Sequence, residues 1–446
     1  MPRTVCAFVL LTALCLARVS AQGSGALDKL LADFWKAEDA RGAERAAEKV
    51  VKAGADFDTL YAEQQAGRPY AKEKTGGFSM RFAASAGALF DNTIEVPLEY
   101  TPEKRWALRV QLHGGVNRQT MQSVGGGPNL EEDESSQGGR APSLGRRKRE
   151  NRIPGEPQIY VFPSGSADAA WWHGHQVDNI LRLVDRVKRR YNIDESRIYL
   201  TGISDGGTGT YYMAMKDPTV WSAFLPLNGS IKVLGNPAVR AEGELYSANL
   251  VNRPFYIVNG GRDPLYPVEH VSTHIEAFKQ LGVSLVFRPQ ANAGHDTSWW
   301  PYERSLFEQF VKQKPRVAHP TRVSWETERI DKFNRADWVI VEAIGPSATD
   351  TKFENLDIFE HKRQSGRIDI ERIGNVFDAK SRGVRAFTLL LSPDAIDFSQ
   401  PVTVTVNGVQ AYQGRLKKNP AVLMKWAAHD ADRQRLYGAE LKVQVP

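Results

Sequence analysis

The pentapeptide Gly202-Ile203-Ser204-Asp205-Gly206 limits what this chain can fold into more than any other feature. It follows the apolar, strand-like run Arg197-Ile198-Tyr199-Leu200-Thr201 and precedes a helix-like segment over 207–215. A strand that turns at once into a helix needs a sharp bend, and the residue at the bend is held in a strained conformation. Small residues two positions before and after the serine let the neighbouring backbone pass. The pattern implies strand, elbow and helix, with the Ser204 hydroxyl presented at the tip. It also defines what must accompany it: an acid, a histidine and backbone N–H donors, in a definite chain order.

The surrounding pattern agrees with that geometry. Short apolar strands are predicted over 108–112, 158–162, 197–201, 223–227, 255–258 and 285–287. Between them Val177, Ile180, Leu181, Val184, Val187 and Tyr191 form one helical stripe, and further helices are predicted over 268–281 and 302–312. Alternating strand and helix gives an α/β fold with a mainly parallel, doubly wound sheet. Residues 76–100 alternate as a hairpin or meander, with Phe78, Met80 and Phe82, then Ile94, Val96 and Leu98, on one face. Residues 25–66 read as two amphipathic helices packed against the catalytic domain, with Leu27, Leu30, Leu31, Phe34 and Trp35 at helical spacing.

Beyond Pro315 to Pro320 the chain becomes β-rich, with strands predicted over 323–327, 338–341, 367–373 and 387–391. A hairpin follows over 402–412, where Asn407-Gly408 suits two positive-φ positions. A helix over 420–433 and a strand over 440–445 close a small sandwich-like domain. The expected organisation is a signal peptide over 1–21, a helical extension over 22–75, a catalytic domain over 76–315 and a β-rich domain over 321–446.

Arg3, the apolar run over 5–16 and Val19-Ser20-Ala21 read as a secretory signal, cleaved near Ala21, giving a secreted or periplasmic protein. The run is too short to span a bilayer comfortably, and no later stretch is apolar enough to do so. Both cysteines, Cys6 and Cys15, lie in this segment, so the mature chain has no disulfide. Removing Arg3 and Arg18 lowers the formal charge from +6 to +4. Much of the excess sits in Arg146-Arg147-Lys148-Arg149, within a Gly/Ser/Pro-rich, charged insertion at about 125–156. No aromatic or groove-reading residues adjoin it, so it reads as a solvated, mobile loop and not as a nucleic-acid site.

Three further segments fall at predicted strand ends. His113-Gly114-Gly115 can turn backbone N–H groups toward Ser204; with the N–H of Asp205, that of Gly114 or Gly115 would form an oxyanion hole. Asp263 follows the strand over 255–258 and can hold a histidine by its Nδ1–H. His295, preceded by Gly294, completes the order Ser, Asp, His. Asp205 and Asp296 are sequence neighbours of the serine and histidine, not candidates for the acid. Trp171-Trp172 and Trp299-Trp300, with His113, are candidates for the substrate pocket; the alternative is that they cap the core beneath their loops. His173 and His175 lack a third ligand in the sequence, so neither a metal nor any other cofactor is expected.

On His113-Gly114-Gly115, Gly202 to Gly207, Asp263 and Gly294-His295-Asp296, residues 90–313 resemble α/β-hydrolase esterases. The resemblance is to secreted polyhydroxybutyrate-depolymerase-like and feruloyl-esterase-like enzymes. It implies an acyl-enzyme mechanism on Ser204, His295 and Asp263, acting on a small or polymeric carboxylic ester. Prolyl-oligopeptidase-type peptidases share the fold and residue order. They usually carry a large domain before the catalytic one, whereas here the added domain follows it. A third reading is a non-catalytic binding protein on the same scaffold, with residues 321–446 as its working part.

Overall fold

The chain folds as a helical entry, an α/β domain and a β-sandwich in the computed structural model, which describes residues 24–83, 89–116, 155–166, 168–353 and 357–446. The signal segment, both cysteines and most of the charged insertion lie outside the described residues. The entry holds three helices, one more than the periodicity predicts: α1 (Ser24–Lys36), α2 (Ala40–Lys52) and α3 (Phe57–Ala66). Asp39 and Asp56 explain the extra break. Each caps a helix start, accepting from Gly42 N and Thr59 N at 2.8 and 2.9 Å.

The hairpin β1 (Gly76–Ala83) and β2 (Leu89–Val96) joins the main sheet instead of standing apart. The other strands are β3 (Trp106–Leu112), β4 (Ile159–Phe162), β5 (Ile193–Ile203), β6 (Ala223–Leu227), β7 (Phe255–Gly260) and β8 (Leu285–Gln290). Their spatial order is β1-β2-β4-β3-β5-β6-β7-β8, and every pairing from β4 to β8 is parallel. The chain passes from β4 across β3 to reach β5, so the order switches between β3 and β5. Doubly wound sheets bind ligands at such a switch, beyond the carboxyl ends of the strands.

Both sheet faces are covered, so the central strands are apolar on both sides. Ile198 and Leu200 of β5 pack with α4 (Gly174–Arg190), α5 (Asp205–Lys216) and α6 (Val268–Gln280) on one face. Tyr199, Leu225 and Val258 meet Phe307, Phe310 and Val311 of α7 (Trp300–Gln313) on the other. Arg109 of β3 grips Glu308 of α7 through two bonds of 2.8 and 3.1 Å, and both side chains are buried.

The C-terminal domain packs two sheets around one core. One contains β10 (Arg335–Ala336), β11 (Val339–Ile344), β14 (Val384–Leu391) and β17 (Ala439–Gln444). The other runs β16 (Val409–Gly414), β15 (Val402–Val406), β13 (Val376–Arg382), β12 (Gly366–Ile373) and β9 (Arg322–Thr327). Asn407 and Gly408 take φ of 52° and 83° in the β15–β16 turn, as a tight hairpin demands. The helix α8 (Pro420–Asp430) supplies Leu423, Met424, Ala427 and Ala428 to a core shared with α1, α2 and α3. The entry helices therefore pack mainly on the C-terminal domain, not on the α/β domain.

Polar groups bind that domain to the main sheet. Asp337 is 1% exposed and lies between Arg253 and Arg435. Arg316 meets Asp432 at 2.7 Å, and Arg433 meets Glu195 at 2.7 Å. Strand β9 is the edge of its sheet, and two asparagines act as its missing neighbour. Asn252 donates to Ser324 O at 2.7 Å and accepts from Ser324 N at 3.1 Å. Asn249 does the same with Glu326, at 2.9 and 2.8 Å.

Candidate active site

Ser204 stands between β5 and α5 with φ 56° and ψ −120°, a conformation that costs a non-glycine residue roughly 1–3 kcal/mol. Its surroundings impose it. Ser204 N donates to Leu227 O at 2.9 Å, and Ser204 O accepts from Thr208 N at 3.0 Å. A Cβ on Gly202 would lie 2.0 Å from Gly206 O, and one on Gly206 would lie 2.2 Å from Leu112 O. The small residues flanking the serine are required by backbone contact.

The loops after β7 and β8 bring the acid and the histidine to this tip. His295 Nε2 lies 2.8 Å from Ser204 Oγ, and His295 Nδ1 lies 2.7 Å from Asp263 Oδ2. A carboxylate only accepts, so Nδ1 carries the proton and Nε2 is left to accept from the serine hydroxyl. The Asp263 side chain is fully buried, and its Oδ1 accepts from Leu265 N and Tyr266 N at 2.8 and 3.0 Å. Asp296 has a different place. It accepts from Ser298 N at 2.8 Å and Gly294 N at 3.2 Å, and chiefly the Ser298 contact holds its pKa below the usual value.

The His113-Gly114-Gly115 turn abuts the serine. A Cβ on Gly114 would lie 2.9 Å from Ser204 Cβ, so only glycine fits without displacement. Gly115 has φ 73°. The His113 ring is engaged by backbone on both sides: Nε2 accepts from Gly165 N at 3.0 Å, which leaves Nδ1 to donate to Gly114 O at 2.8 Å. Its ring braces the turn through these bonds. Asp205 opens α5, where helix amides point outward and favour negative charge.

The tryptophans lie beneath the loops. Trp171, Trp172, Trp299 and Trp300 are 1%, 0%, 4% and 6% exposed, and so offer little surface to a substrate in this conformation. Trp171 donates to His113 O at 2.8 Å, Trp172 to Val239 O at 2.9 Å and Trp299 to Asp296 O at 2.7 Å. These bonds anchor the turn and the histidine loop. His175 stacks on Phe90, with ring centroids 6.0 Å apart.

Two residues at the site escape the sequence reading. Asn228 follows β6 with φ 46°, donates to Asp296 O at 2.7 Å and accepts from Gly260 N at 3.1 Å. It ties the acid-bearing loop to the histidine-bearing loop. Asn228-Gly229 after a strand is a turn signal that could have revealed it. Tyr266 is 6% exposed and meets the His295 ring edge-on at 5.3 Å. Burial, then the charges of Asp205 and Asp263, push its phenol pKa upward.

Sheet order, elbow and carboxyl-edge loops together define an α/β-hydrolase fold, and the chain resembles the esterases built on it. Residues 166–297, which include Ser204, Asp263 and His295, match the dienelactone hydrolase family. A bifunctional acetylxylan esterase/xylanase from Neocallimastix patriciarum is 24% identical over 177 residues, covering 36% of this chain. The match takes in only 24% of that relative's length. Among solved structures, a thermostable esterase is 20% identical with a TM-score of 0.37, over 54% of this chain and 63% of the other. The acylaminoacyl peptidase of Pyrococcus horikoshii is 16% identical with a TM-score of 0.39, over 60% and 45%.

Proposed function

We propose that this protein is an exported serine esterase that cleaves carboxylic esters through an acyl-enzyme intermediate. The observation that carries the reading is the continuous chain of hydrogen bonds from Asp263 through His295 to Ser204, at 2.7 and 2.8 Å. In this reading Ser204 Oγ attacks the ester carbonyl while His295 Nε2 takes its proton. The developing oxyanion is held by backbone N–H groups of Asp205 and of Gly114 or Gly115. His295 then protonates the leaving alcohol. Water, activated by the same ring, releases the acid and restores the serine. Asp263 keeps the ring oriented and stabilises its cationic form. The signal-like segment over 1–21 supports export.

A panel of p-nitrophenyl esters, sugar acetates and aminoacyl p-nitroanilides tests the reaction class. The acetylated sugars enter because of the acetylxylan esterase/xylanase relative. Ester hydrolysis is expected, with Ser204→Ala lowering kcat by about 10⁴ to 10⁶-fold while the circular dichroism spectrum is unchanged. Cleavage of the anilides in preference to the esters would establish a peptidase instead. Full ester activity in Ser204→Ala would refute both.

A further inference from the structure

Two cavities adjoin one another at Lys232 and Asn236, and the wall of the nearer includes Tyr266. The nearer, about 270 Å³, is lined by Ser230, Lys232, Asn236, Leu265, Tyr266 and His270 among others. Tyr266 places it beside the catalytic histidine, since its ring meets His295 edge-on at 5.3 Å. The farther, about 360 Å³, shares Lys232 and Asn236 and adds His274, Ile358 and Phe359. Among the described residues, no aspartate or glutamate lines either cavity.

Lys232 sits where the two cavities meet, on the short 3₁₀ turn Ile231–Gly235 that follows β6. It is exposed, and it makes no ion pair among the described residues. Two other lysines of the described residues are matched: Lys332 pairs with Glu242 at 2.8 Å and Lys216 with Glu328 at 3.7 Å. The nearby acids are turned to other tasks or stand outside. Asp357 accepts from Ser247 Oγ at 2.6 Å and from Phe359 N at 3.2 Å, and Glu269 lies on α6 outside both linings. A lysine lining a cavity with no acid among its described residues offers a counter-charge to an anion.

Part of the farther cavity's wall comes from beyond residue 320, from Ile358 and Phe359. Ile358 N donates to Ser247 Oγ at 3.1 Å, and His361 Nε2 bonds Leu245 O at 2.8 Å, pinning this loop to the catalytic domain. Phe359 lies against Gly235, where an added Cβ would be 3.7 Å from its ring. The second domain thus supplies apolar residues to a cavity that Lys232 also lines.

We infer that this groove selects esters that carry a free carboxylate remote from the reacting carbonyl, with Lys232 binding the carboxylate and Ile358 and Phe359 covering the apolar part. The inference rests on the esterase reading above. Two matched substrate pairs test it: p-nitrophenyl octanoate against the p-nitrophenyl half-ester of suberic acid, and phenyl acetate against 4-acetoxybenzoate. The first pair places the carboxylate on the acyl side and the second on the alcohol side. Wild-type enzyme is expected to favour the anionic member of at least one pair, with a preference that falls as salt rises. Lys232→Gln should raise KM for that substrate about fivefold and Lys232→Glu about tenfold, with kcat and the neutral partner within about twofold. Equal effects on both members of each pair, or no anionic preference in wild type, would overturn it. Ser204→Ala keeps the two readings apart. If it abolishes hydrolysis while Lys232→Glu changes nothing, only the groove assignment fails; if it abolishes nothing, the esterase reading fails first.

Discussion

Two buried carboxylates, Asp263 and Asp337, solve the same physical problem in different ways. Each is removed from water, which costs a carboxylate its hydration and makes it depend on the partners it finds inside the protein. Asp263 is held by two backbone N–H donors and by His295, a partner that can gain or lose charge. Asp337 lies between Arg253 and Arg435, whose charges are permanent. Burial would raise the Asp337 pKa, but the two guanidiniums outweigh it and hold the group below its ordinary value. In the mechanism proposed above, the first arrangement leaves charge free to move toward Ser204. The second locks charge in place and fastens one domain to another. The identity of the partner, not burial, decides whether such a carboxylate serves chemistry or cohesion.

Substitution at the two positions should separate rate from stability. Asp263→Asn keeps the acceptor for Leu265 N and Tyr266 N but no longer fixes the histidine tautomer. Its kcat on an ester substrate should fall by about 10⁴-fold with the urea midpoint nearly unchanged. Asp337→Ala leaves two buried guanidiniums without a counter-charge and should cost about 3–5 kcal/mol in urea unfolding, while kcat of the folded fraction stays near wild type. A large rate loss in Asp337→Ala, or a large stability loss in Asp263→Asn, would break the distinction.

A smaller effect tests the boundary by pH. His319 lies in the segment joining the two domains, and burial followed by the Arg435 charge lowers its imidazole from 6.5 to about 4. The folded protein keeps this ring neutral in a range where the unfolded chain protonates it. Its share of stability is whole above pH 6.5 and is lost as pH falls from 6.5 toward 4. Asp337 acts lower: its pKa is depressed, so its share is present above 3.8 and is lost as pH falls through the lowered value. Urea midpoints measured at pH 7 and pH 5 should differ less in His319→Gln than in wild type. Equal slopes in the two proteins would remove His319 from the account.

The site was more legible in the sequence than its setting. Ser204, Asp263 and His295 each follow a strand of the parallel sheet, so a strand pattern and a chain order suffice to bring them to one edge. Asn228 was not legible, because its role is to join two loops that are distant in sequence. The tryptophans sit on the right loops, but loop position does not say whether a ring faces a ligand or the core, and burial places these in the core. The stripe on α1 shows that a face is covered without showing by what. Here the cover is α2, which with α3 packs in turn on α8, more than 350 residues on. Strand β13 was missed because its inward positions are Phe377, Ala379 and Ser381, too weak an alternation to register.

The asparagine seam on β9 bears on how the two domains can be handled apart. Asn249 and Asn252 occupy hydrogen-bonding positions that another strand would otherwise take. An isolated C-terminal domain would carry β9 as a bare edge, with its donors and acceptors open to the same edge on a second copy. The catalytic domain therefore acts toward its neighbour as a built-in guard against strand-to-strand self-association.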